Sequence, residues 1–74
     1  MTTTIQLQPS DTIGDAFGQM ESAGVLALPV VDRKRRILGT VTEADLRRHV
    51  AKHGRGSMFA STLDRVLEDL PRAA

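Results

Sequence analysis

Residues 25–45 read Val-Leu-Ala-Leu-Pro-Val-Val-Asp-Arg-Lys-Arg-Arg-Ile-Leu-Gly-Thr-Val-Thr-Glu-Ala-Asp. The run Val25 to Val31 is continuously apolar and ends in β-branched residues, which suits a buried strand. Pro29 has no amide proton, so this strand must place it at an edge or a bulge. Asp32 to Arg36 is a polar turn, and Ile37 to Val41 is a second strand, so the two strands form a hairpin. Thr42 follows at once as a helix N-cap, with Asp45 three residues on in the place of a capping-box Glu or Gln.

Working outward, residues 4–7 (Thr-Ile-Gln-Leu) alternate and stop before Pro9, which predicts a short strand or extended entry. Ser10, Asp11 and Thr12 offer capping side chains. Ile13, Ala16, Phe17 and Met20 then recur as one apolar helix face, and Gly24 suits the C-cap. Gly14 and Gly18 each weaken this helix by about 1 kcal/mol relative to Ala, and both suit close packing. Beyond Thr42 a helix carries Leu46, His49, Val50 and His53 on one side, with Arg47, Arg48 and Lys52 mostly on the other. Gly54 and Gly56 end it, and residues 54–61 read as a loop. Ser61 or Thr62 caps a last helix with Leu63, Val66, Leu67 and Leu70 on one stripe, stopped by Pro71.

With 74 residues and two aromatics, Phe17 and Phe59, the chain holds one small domain with an aliphatic core. A domain of this size buries roughly 60% of its unfolded surface and leans on a staple or a partner. The absence of Cys excludes disulfides and thiolate metal sites, which leaves oligomerisation or docking onto a larger protein. Ten basic residues against nine acidic ones, net charge +1, argue against a general binder of nucleic acid or membrane. The longest apolar run is far short of the ~20 residues of a membrane span. Met-Thr-Thr-Thr opens no signal peptide, so the cytoplasm is the expected compartment.

Three segments together resemble a cystathionine-beta-synthase-type (CBS) domain. They are Ala16-Phe17-Gly18-Gln19-Met20, Leu28-Pro29-Val30-Val31-Asp32 and Gly39-Thr40-Val41-Thr42-Glu43-Ala44-Asp45, the last matching the family's glycine–x–x–Thr/Ser–x–x–Asp pattern. The resemblance covers residues 4–53, with a C-terminal loop and helix over 54–71, all within one domain, 1–74. It implies an α/β fold: a β-α-β-β-α unit with a short sheet, helices on one side, and an extra C-terminal helix. The chain departs from the family in two ways. Its hairpin turn is Arg33-Lys34-Arg35-Arg36, where the family usually carries a Gly. It also holds a single motif, where the family usually has tandem pairs, and its tail resembles the helix leading into a following motif. A piece of a longer protein and a free-standing single-motif protein both fit.

The resemblance further implies a regulatory module for an adenosine-type nucleotide, such as AMP, ADP, ATP or S-adenosylmethionine, acting through dimeric pairing of CBS motifs. Thr42 and Asp45 would hold the ligand, and Val25, Ala27, Leu28 and Pro29 would flank the adenine. The chemistry is consistent with this. Thr42 sits at a helix N-terminus that favours an anion and can donate its hydroxyl to phosphate, and Asp45 accepts only, which suits ribose hydroxyls. Capping alone accounts for the same two residues, and a purely structural dimerisation module is the alternative function. The partner is then a second copy or a second CBS motif, with no nucleic acid and no membrane. Arg33–Arg36 reads as a solvated hairpin tip with no aromatic beside it. His49 and His53 have a chelating i, i+4 spacing, but no third ligand is evident from sequence, so no metal site and no required cofactor are expected. No Cys or Ser nucleophile motif is present, and an enzyme is not expected.

Overall fold

In the computed structural model, residues 6–70 are described. Their order is α1 (Ile13–Ala23), β1 (Ala27–Val31), β2 (Ile37–Thr42), α2 (Glu43–His53), α3 (Ser57–Ala60) and α4 (Leu63–Asp69). β1 and β2 pair antiparallel, with Leu28 opposite Val41 and Val30 opposite Gly39. Residues 4 and 5 of the expected entry strand lie outside the described residues. Leu7, however, bridges Val30 in parallel, accepting from the Val31 amide at 2.7 Å and donating to the Pro29 carbonyl at 2.9 Å.

This bridge explains Pro29. A residue's N–H and C=O point to the same side of a strand, so the Pro29 nitrogen faces the Leu7 side, away from β2. No ladder bond to β2 is lost. A register shift follows between Val30 and Val31, the bulge expected beside the proline.

One sheet face carries Leu28, Val30 and Val41, all buried in a core with Leu7, Ile13, Ala16, Met20, Leu46, Leu63 and Val66. The helices lie on that face, and the opposite face leaves Ala27, Leu38 and Thr40 exposed. Both long helices start with the same device. Thr12 and Asp15 form a reciprocal capping box on α1, and Thr42 and Asp45 form one on α2. Gly24 closes α1 in the left-handed conformation, φ 67°. Gly14 permits a close approach, since a Cβ there would sit 3.1 Å from the Met58 carbonyl oxygen, whereas Gly18 faces open space.

Residues 54–61, expected as a loop, contain the short helix α3. The Ser57 hydroxyl donates to the Gly54 carbonyl at 2.6 Å and secures its start. The tail also folds onto its own chain. The amides of Leu63 and Asp64 donate to the carbonyls of Asp11 and Pro9, which tethers α4 beside the entrance to α1. Leu63 and Val66 are buried in the core. α4 packs so closely over β2 that a methyl on Gly39 would lie 2.8 Å from Leu67 Cδ2. The hairpin turn makes do without glycine. Asp32 Oδ1 accepts from the amides of Lys34 and Arg36, and Arg35 takes the left-handed conformation at φ 63°.

Candidate functional site

The start of α2 is where the sequence places ligand chemistry. Thr42 Oγ1 accepts from the Asp45 amide at 3.1 Å, and the Thr42 amide donates to Asp45 Oδ2 at 3.1 Å. The threonine hydroxyl keeps its own proton free to donate. The remaining carboxylate oxygen, Asp45 Oδ1, accepts from Arg48 at 3.1 Å. The helix N-terminus is less open to an anion than the sequence implies, because the Glu43 amide donates to the Leu26 carbonyl at 2.9 Å. Two of its first three amides are therefore already engaged.

The named residues separate into different surroundings. Ala27 and Thr42 lie opposite each other in the sheet register and line a groove of about 520 Å³ with Leu26, Glu43, Ala44 and Arg47. Val25 borders an adjoining hollow of about 480 Å³ with Phe17, Met20 and Leu26. Leu28 is only 6% exposed and its side chain belongs to the core, so it offers a ligand no more than its backbone. Pro29 is half-buried in mid-strand. Asp45 lines a small cleft of about 70 Å³ with Arg48, His49, Lys52 and Asp69, on a different side of α2 from the groove.

Two groove residues escaped the sequence reading. Leu26, 71% exposed, offers the groove its largest apolar surface. Nothing local in the sequence marks it, because it stands in the same continuous apolar run as Leu28. Arg47 borders the groove and pairs with Glu43 one turn earlier on the helix. An exposed pair of this kind is worth less than about 1 kcal/mol and yields easily to an anion.

A second cluster lies between α2 and α4. His49 Nδ1 and His53 Nε2 approach the same oxygen, Asp69 Oδ2, at 2.8 and 3.3 Å. Lys52 Nζ stands 3.6 Å from the other oxygen. The hydrogen bond from His53 is the main cause that holds the Asp69 carboxyl below its ordinary range; desolvation opposes it, and the bond from His49 and the Lys52 charge add smaller lowering effects. The missing third group near the histidines is thus supplied from the tail. Asp69 lies three residues after the buried Val66, and that spacing places both on the α4 face turned to α2.

The family model described as CBS domain matches residues 1–52. The chain belongs to the CBS domain family. Among curated proteins, this CBS domain is 37% identical over 43 residues to inosine-5'-monophosphate dehydrogenase of Methanocaldococcus jannaschii, covering 58% of the chain and 9% of that protein. It is 41% identical over 44 residues to homoserine O-acetyltransferase of Methanohalobium evestigatum, covering 60% of the chain and 9% of that protein. Among solved structures, a CBS-domain-containing protein from Agrobacterium tumefaciens superposes with a TM-score of 0.79 at 28% identity, over 86% of this chain and 47% of that one. The fold is shared with CbpB in complex with c-di-AMP, TM-score 0.76 at 14% identity, over 85% of this chain and 43% of that one. It is also shared with CBSX2 in complex with AMP, TM-score 0.57 at 22% identity, over 76% of this chain and 50% of that one. The CBS domain thus spans about half of each of these solved chains and a small fraction of the two enzymes. No helix among its described residues is long and apolar enough to cross a membrane.

Proposed function

We propose that this CBS domain is a cytoplasmic regulatory module that takes an adenosine-type nucleotide in the groove beside Leu26, Ala27 and Thr42. The observation that carries the reading is that groove: an apolar wall ending at a threonine with a free hydroxyl proton, and an arginine at its rim. Adenine lies against Leu26 and Ala27, with Val25 beyond them. The Thr42 hydroxyl donates to phosphate and Arg47 supplies the countercharge. For Asp45 to contact the ribose, its side chain has to turn from the cleft it lines to the groove side of α2, giving up its bonds to Arg48 and to the Thr42 amide. The complexes of CbpB with c-di-AMP and of CBSX2 with AMP support the class of ligand. Regulation follows if the nucleotide prefers one arrangement of paired motifs, since only differential affinity shifts such an equilibrium.

A second reading has its own observation. Both Asp45 oxygens are already used in capping and ion pairing, as a purely structural pairing module would have them. Calorimetric titration with AMP, ADP, ATP and S-adenosylmethionine separates the two. Binding of one or more that is lost in Ala27→Phe, which fills the groove from an exposed position, supports the nucleotide site. A flat response to all four supports the structural module.

A further inference from the structure

We propose that His49, His53 and Asp69 form a binding site for a divalent transition-metal ion, with Zn²⁺ the best match, which clips α4 to α2. The three side chains each present one ligand atom, and these atoms all lie within 4.8 Å of one another. Zinc bonds of about 2.0 Å in a tetrahedron set ligand atoms about 3.3 Å apart. The distances of 2.8 Å from His49 Nδ1 and 3.3 Å from His53 Nε2 to Asp69 Oδ2 bracket that spacing. The third separation, between the two histidine nitrogens, is no more than 4.8 Å, and the exposed His53 ring can move to close it around an ion.

Two imidazoles and a carboxylate are a borderline-soft donor set that favours zinc and its neighbours over magnesium or calcium. A water molecule completes the coordination. A hydrogen bond alone would need one histidine for the carboxylate, whereas here two, one helical turn apart, converge on a single oxygen from a different helix. The ring centroids are only 4.3 Å apart, which brings both imidazoles within reach of one ion. His49 is buried and His53 half-exposed, which gives the site one anchored ligand and an open approach. Lys52 opposes the ion from 3.6 Å beyond Asp69, but its side chain is largely exposed and can swing away. His49 lies within the segment that matches the family, whereas His53 and Asp69 lie past residue 52, so the complete ligand set is not part of the matched segment. None of the three ligands lines the groove of Leu26, Ala27 and Thr42, although Asp45 borders the same cleft as His49 and Asp69.

Metal uptake releases whatever proton each ligating nitrogen carries toward Asp69, with no redox change. The test titrates Zn²⁺ alone into the untagged, EDTA-treated full chain by calorimetry. Co²⁺ is the spectroscopic probe for a tetrahedral site. The expected result is one ion per chain, a melting temperature that rises with zinc concentration, and intense visible cobalt bands. His53→Ala and Asp69→Ala, both at exposed positions, each weaken binding at least tenfold, while Lys52→Ala binds equally or more tightly. No uptake at a tenfold excess of zinc overturns the proposal. Uptake that is unchanged in both His53→Ala and Asp69→Ala overturns it equally.

Discussion

Arg35 occupies the left-handed region at φ 63°, which costs an ordinary side chain roughly 1–2 kcal/mol. The Asp32 carboxylate holds the turn by accepting from two amides, so the conformation is imposed on Arg35 from its neighbour. Arg35→Gly is therefore expected to stabilise the domain by about 1 kcal/mol, less the greater chain entropy of glycine. Thermal denaturation should show this as a rise of several degrees, and a fall would mean that the guanidinium makes a compensating contact. The two capping boxes give a second comparison at this scale. Asp15 and Asp45 do the same work at the same position of successive helices. Asp15→Ala and Asp45→Ala should each cost about 1 kcal/mol of stability. Only Asp45→Ala should also weaken the nucleotide. If its folded form binds as tightly as the wild type, Asp45 is a cap and nothing more.

At the level of elements, the strands and the two long helices were legible because their signals are local. Apolar periodicity, Thr-x-x-Asp at each start and Gly24 at an end need no partner to be read. The Thr12–Asp15 box has the same spacing, but three candidate caps in a row, Ser10, Asp11 and Thr12, leave its start ambiguous in the sequence. What the sequence could not convey was how elements meet. Leu28 looks like its apolar neighbours, yet within β1 it turns into the core, whereas Leu26 lies in the bend before the strand and stays outside. Asp69 became a partner of His49 only once α4 was seen to fold back, a contact twenty residues apart along the chain. The glycine of the family pattern likewise has its reason here in a tertiary contact, the approach of Leu67 over Gly39. Gly39→Ala should accordingly lower stability by about 1 kcal/mol or more, the range of a modestly overpacked core. Leu67→Ala in the same chain should recover part of that loss, because it removes the methyl that the new Cβ meets. Double-mutant denaturation measures the coupling, and strictly additive losses would show that α4 does not press on β2 in solution.

For the whole molecule, the remaining question is what covers the outer side of α1 and α2. α4 lies on its own β2 and α2, and that packing buries Leu63 and Val66 within the chain. Phe17, Val50, Ala51 and Met58 instead line an apolar hollow of about 610 Å³ on the other side of α2. Val25 and Leu26 extend it along α1, and Arg47 borders each part. A domain of this size has little stability to spare, and a second copy brings the matching face by twofold symmetry. Ala44 and Ala51, both exposed on α2, allow the helices of a partner to approach closely. The chain is therefore expected to run as a homodimer, at twice its 8.0 kDa, when light scattering is coupled to size exclusion at micromolar concentration. Ala51→Arg should shift it to the monomer while leaving the helical circular-dichroism signal in place, because the new charge would be stranded in the interface and not in the fold. A mass near 8.0 kDa throughout a dilution series would remove the pairing. Any nucleotide response would then have to arise within a single chain, since a cleft shared between two copies could not form.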